Sequence, residues 1–78
     1  MKNFAFESDM QKIRQAEDTG KVSPYDIARD TVHVYAKHHM LDGRTGKDFA
    51  HRLSFHPKVQ AEIIEEFDKI IAQYKRTR

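Results

Sequence analysis

Ser23-Pro24-Tyr25-Asp26-Ile27-Ala28-Arg29-Asp30-Thr31-Val32-His33-Val34-Tyr35-Ala36-Lys37 is the stretch on which the fold of this 78-residue chain turns. Its middle, Thr31-Val32-His33-Val34-Tyr35, is β-branched and aromatic and taken alone would suit a strand. Its start argues for a helix. Ser23 can cap, Pro24 follows at the first helical position, and Asp26 supplies an acid three residues after the cap. No turn signal interrupts Asp26 to Lys37. The stretch therefore reads as a helix from Pro24 to about Leu41, ended by Asp42-Gly43. On a helical projection Tyr25, Ala28, Val32, Tyr35, Ala36 and His39 gather on one side, and Ile27, Thr31, Val34, His38 and Leu41 roughly opposite. A helix apolar on two sides is either sandwiched centrally or paired with another molecule. Ile27, Thr31, Val34, His38 and Leu41 are the residues expected to carry a homodimer contact in the second case.

Helical punctuation continues on both sides of this segment. Upstream, Ser8 and Gln11 have capping-box spacing, Gly20 offers a left-handed stop, and Phe6, Met10, Ile13 and Ala16 make an apolar stripe, which predicts a helix over 8–19. Downstream, Thr45 and Asp48 repeat the cap pattern, and Phe49, Ala50 and Leu53 predict a short helix over 46–54. Pro57 opens a fourth helix to about Lys75, with Val59, Ile63, Phe67, Ile70, Ile71 and Tyr74 as its stripe. Its acids lie early and its basic residues late, as the helix macrodipole favours. The expected fold is all-α, a compact bundle of four helices in a single domain over 1–78, self-associating if the second helix needs a partner for its second apolar side.

Size and composition restrict what such a bundle can do. A chain this short buries only about 60–65% of the surface it exposes when unfolded. It has no cysteine, hence no disulfide, no Cys-based zinc site and no thiolate nucleophile. No apolar run reaches the 18 residues of a membrane span, and the first residues lack the apolar stretch of a signal peptide. A cytoplasmic protein without membrane contact is expected, the Met1 start suggests a complete small gene product, and a bacterial or phage regulator is the type expected.

Reactive constellations are weak. Four of the five histidines, His38, His39, His51 and His56, fall within nineteen positions, but no i, i+4 pair exists to hold a metal from one helix face. Ser8, Ser23 and Ser54 occupy cap or turn positions. Gly43-Arg44-Thr45-Gly46-Lys47 matches neither phosphate-loop pattern, and a pocket of about 300 Å³ or more is hard to enclose in so small a chain. No catalytic, cofactor or metal-binding residues are assigned, and no enzymatic activity is expected.

The segment from Thr45 to Ile63 resembles a helix-turn-helix, with Ala50 at the crossing, Leu53 and Phe55 flanking the turn and Pro57 opening the second helix. It departs from that pattern at Ser54, where glycine is usual, and at Gln60, where an apolar residue is usual. Charge is segregated along the chain. Residues 37–58 carry Lys37, Arg44, Lys47, Arg52 and Lys58 against Asp42 and Asp48, a net of +3, whereas Glu62, Glu65, Glu66 and Asp68 give residues 62–68 a net of −4. Acids along the fourth helix would repel phosphates over most of its length. The reading that follows is a non-catalytic regulatory or inhibitory protein that binds a protein partner through a charge-segregated helical surface, with Lys37, Arg44, Lys47, Arg52 and Lys58 as the contact residues. The alternative is a DNA-binding transcriptional regulator using residues 45–63. Charging the clustered histidines below about pH 6 would strengthen the basic side in either case.

Overall fold

The described residues form four helices: α1 (Phe4–Thr19), α2 (Pro24–Lys37), α3 (Gly46–His51) and α4 (Pro57–Thr77). The computed structural model describes residues 4–41, 45–53 and 55–77, and no strand occurs among them. The caps at Ser23 and Thr45 form as their spacing predicts. Ser23 is extended, its Oγ accepts from the Asp26 N–H at 3.2 Å, and Pro24 opens α2. Thr45 does the same for α3, accepting from the Asp48 N–H at 3.2 Å. Gly20, at φ +69°, closes α1 in the left-handed conformation that glycine adopts without a Cβ clash.

The β-branched stretch is helical because it is central. α2 and α4 pack directly on each other, α1 lies on α2, and α3 lies on α4, within an envelope of 30 × 28 × 24 Å. Ile27, Ala28 and Val32 of α2 meet Ile63, Phe67 and Ile70 of α4. Phe49, Ala50, Leu53 and Phe55 close the core from the α3 side, and Ile13 enters from α1. Burial of each large apolar side chain contributes about 1.5–3 kcal/mol. Thr31, the one buried polar residue among the described residues, satisfies its hydroxyl within the helix by donating to the Ile27 carbonyl at 2.8 Å.

The residues expected to carry a homodimer contact are engaged within the chain to different degrees. Ile27 and Thr31 are fully buried inside their own chain, and Val34 and Leu41 pack against the same core. The His38 side chain, only 10% exposed, bonds Asp9 of α1 through Nε2 at 3.3 Å. Ile27 and Thr31 are thus enclosed by their own chain, whereas Val34, His38 and Leu41 are half-buried.

Helix limits differ where tertiary contacts or an unsignalled turn decide them. α1 already includes Phe4, and Ser8 lies inside it rather than at its cap. The added turn is held by Phe6, whose ring sits edge-on to Tyr35 at 5.0 Å and to His38 at 5.5 Å. α2 stops at Lys37, four residues before Leu41. His39 turns left-handed at φ +58°, the Met40 N–H bonds the Tyr35 carbonyl at 2.8 Å, and the His39 N–H bonds the Ala36 carbonyl at 3.0 Å. That is a Schellman stop with histidine in the usual glycine position. The expected Asp42-Gly43 stop lies outside the described residues, as does Ser54. α3 ends at His51, and α4 runs on to Thr77.

Candidate functional site

The described basic residues of 37–58 sit on different elements. On α3, burial of Phe49, Ala50 and the following Leu53 turns Lys47, Asp48, His51 and Arg52 outward. Lys47 and His51 are one helical turn apart, and Arg52 caps the helix end. Lys58 belongs instead to the first turn of α4. Lys37 is drawn to α1, its Nζ 3.9 Å from Asp9. Arg44 is outside the described residues. Lys47 thus lies on the outward side of α3 and Arg52 at its C-terminal cap, Lys58 stands at a neighbouring helix start, and Lys37 is on the α1 flank.

What fixes the α3 face is its seat on α4. A Cβ added to Gly46 would fall 2.7 Å from Phe67 Cβ and 3.2 Å from the Ile63 carbonyl oxygen, so the first residue of α3 touches α4 almost backbone to backbone. At the other end Gln60 donates through Nε2 to the carbonyls of Leu53 at 2.8 Å and Ala50 at 3.4 Å. The Ala50 carbonyl also accepts the Leu53 N–H at 3.2 Å, and Leu53 lies just beyond α3, so Gln60 adds a side-chain donor where the helix ends. Gln60 is polar in an otherwise apolar slot because it clasps α3. Neither role was part of the sequence reading, although a glycine directly after a good cap is a weak helix former and so a hint of close approach.

A surface cleft of about 550 Å³ opens between the starts of α2 and α4. Its apolar lining comes from Val22, Pro24, Ile27, Pro57 and Val59, and Glu17, His56 and Lys58 supply its polar groups. Glu17 is already engaged: its Oε2 accepts the His56 N–H at 3.0 Å, tying the end of α1 to the start of α4, where a carboxylate also suits the helix dipole. A depression of this volume exists in the small chain because it lies open between helices rather than enclosed in the core. Nearby, the Arg14 guanidinium lies 4.0 Å over the Phe55 ring, fixing the loop that leads to His56.

A second groove, about 360 Å³, lies between α1 and α4 with α2 as its floor. Asp9, Lys12, Asp30 and Lys37 make it polar. His33 stands in it, tilted on Tyr74 at 5.3 Å between ring centroids, with a buried Nε2 that has no hydrogen-bond partner. Burial lowers its pKa below the ordinary 6.5, and Arg29 lowers it further against the opposing effects of Asp30 and the Ile70 backbone.

The outer flank of α4 is acidic. Carboxylate oxygens of Glu62, Glu65 and Glu66 lie within 4.8 Å of one another, with Glu66 paired to Lys69 at 3.5 Å and Ile64 46% exposed on the same helix. These carboxylates are the donor set among the described residues that comes close enough to share a cation. Their proximity follows from helical spacing, and no other feature there selects an ion. The histidines are dispersed over the α1–α2 contact, the α2 stop, α3 and the start of α4.

Residues 45–63 do form two helices packed on each other, as a helix-turn-helix requires. Gln60, however, is turned in toward α3, and the early part of α4 carries the half-buried Glu62 and the exposed Glu65 beside the exposed Lys58. No helix among the described residues is long and apolar enough to cross a membrane. Comparison of the chain with protein-family models, with curated proteins and with solved structures returns no match.

Proposed function

We propose that the chain is a non-catalytic regulatory or inhibitory protein that works in the cytoplasm by occupying the surface of a protein partner. One observation carries this reading: two adjoining helices differ in charge, with Lys47 and the capping Arg52 against Asp48 outward at α3, and Glu62, Glu65, Glu66 and Asp68 against Lys58 and Lys69 along α4. Charge divided this way sets the orientation and speed of docking more than raw affinity. The basic α3 face is assigned to the partner's acidic surface. It is held rigidly from below by Gly46 and Gln60, and a preorganised face loses less entropy on binding.

Affinity capture with the wild-type chain and with a Lys47→Glu/Arg52→Glu variant tests this, scoring both bound protein and bound nucleic acid. The variant should keep its helical circular dichroism and lose the captured protein at least tenfold. An unchanged capture by the variant sinks the assignment. Recovery of duplex DNA whose affinity falls steeply with salt would replace it with the DNA-binding alternative.

A further inference from the structure

We propose that α1 is an exchangeable arm: it lifts off α2 as a unit and seats on α2 of a second copy of the chain, giving a two-fold swapped dimer. Its seat is shallow. Among the helices, α2 is the one it packs on, and Ile13 is the one buried residue of its sixteen, with Met10 and Ala16 half-buried beside it. The contacts that hold its edges are polar or aromatic. Asp9 meets His38 at 3.3 Å and Lys37 at 3.9 Å, Phe6 stands edge-on to Tyr35 and His38, Arg14 lies over Phe55, and Glu17 accepts the His56 N–H. Every other member of the buried core comes from residues 27–70. A helix attached in this way opens at a lower free energy than the whole molecule unfolds.

The connection permits the movement. Residues 20–23 join α1 to α2; a Cβ added to Gly20 would meet nothing within 4 Å, and Ser23 is already extended at φ −66°, ψ 153°. Pro24 keeps α1 and α2 from fusing into one long helix when the turn opens, so the arm swings clear. The vacated seat itself selects what covers it. It offers Tyr35, Lys37 and His38 on α2 and Phe55 and the His56 N–H ahead of α4, and these match an aromatic ring, an acid, a guanidinium and a second acid at positions 6, 9, 14 and 17 of one helix. From Phe6 to Glu17 the match runs about 16 Å along the axis. The α1 of a second copy carries the same groups at the same spacing, so both seats of a two-fold pair regain the contacts that opening breaks. His38, one of the residues expected at a self-association face, then takes part in a contact between copies, and Val34 borders it in the groove with Asp9 and Ile13.

Native-state hydrogen exchange of the full chain tests the opening. Amides of Lys12, Ile13 and Arg14 should exchange about tenfold or more faster than those of Val32 and Ile63. Asp9→Ala, which removes the acceptor for His38 and Lys37 without touching the core, should speed the α1 amides further and leave Ile63 unchanged. Isotope-filtered spectra test the exchange. Labelled and unlabelled wild-type chains are mixed at high concentration, warmed to just below the melting temperature and cooled. A species of twice the monomer mass should appear, with nuclear Overhauser contacts between the Phe6 ring of one chain and the Tyr35 ring of the other. Uniform protection across α1 and α4, or an Asp9→Ala effect shared by Ile63, overturns the arm. A single monomer mass at every concentration, or a dimer whose Phe6–Tyr35 contact stays within each chain, overturns the exchange.

Discussion

α1 and α3 are the two outer helices of the molecule, each lying on one member of the central α2–α4 pair, and their contributions run opposite to their lengths. α1 has 16 residues, of which Ile13 is the one buried. α3 has six, of which Phe49 and Ala50 are buried, and it is clamped at both ends, by Gly46 against Phe67 and by Gln60 where the helix ends. α1 is held by aromatic edges and polar groups: Phe6 on Tyr35, Asp9 with His38 and Lys37. A six-residue helix is far below the length at which helices persist alone, so α3 exists because of its seat, whereas α1 tolerates a looser, wetter contact. Helix length is a poor guide to which element the fold depends on.

Each outer helix has a glycine at one end, and the pair provides the sharpest way to break this comparison. Gly46→Ala should destabilise by about 3 kcal/mol, because the new methyl meets Phe67 Cβ at 2.7 Å and α3 must lift. In a domain of this size that lowers the melting temperature by on the order of 15 °C. Gly20→Ala meets nothing within 4 Å and strains only its φ of +69°, costing about 1 kcal/mol. Thermal unfolding of both variants decides the matter: equal losses would mean that α3 is not seated as closely as described.

A smaller effect belongs to the wet side. His33 is neutral in the fold because burial and Arg29 lower its pKa, against Asp30 and the Ile70 backbone, while Asp9, Lys12, Lys37 and Tyr74 share its groove. The unfolded chain binds the proton more readily, so stability is fully present above about pH 6.5 and declines as pH falls from there toward the lower folded value. Melting curves from pH 7.5 to 5.5 should show this decline, and His33→Phe, which keeps a ring against Tyr74, should flatten it. An equal slope in both proteins would assign the acid sensitivity to other groups.

These contrasts also explain what the sequence discloses and what it hides. Caps are local chemistry, so Ser23-Pro24 and Thr45 with Asp48 were legible as helix starts, and Gly20 as a stop. The stripe of α4 was legible because Val59, Ile63, Phe67 and Ile70 keep helical spacing. The first turn of α1 was not, since it depends on Phe6 reaching Tyr35 across the fold. Nor was the stop at His39, where a non-glycine residue takes a left-handed turn. The two apolar sides of α2 were visible, but how far one chain covers them depends on the helix arrangement, which periodicity does not encode. The same limit applies to the basic surface. Lys37 and Lys58 are near in a charge count along the chain, yet one lies beside Asp9 and the other at the start of α4.

The central helices are not neighbours in sequence: the nineteen positions 38–56, α3 included, separate the end of α2 from the start of α4. The entropy of closing such an excursion grows only logarithmically, about 0.6 kcal/mol for each doubling of its length. The span between the two central helices is thus a dimension along which this architecture can be lengthened or re-tipped at little thermodynamic expense. The point where Gly46 meets Phe67 has no such latitude, and it is the hinge pin around which any redesigned excursion would have to be built.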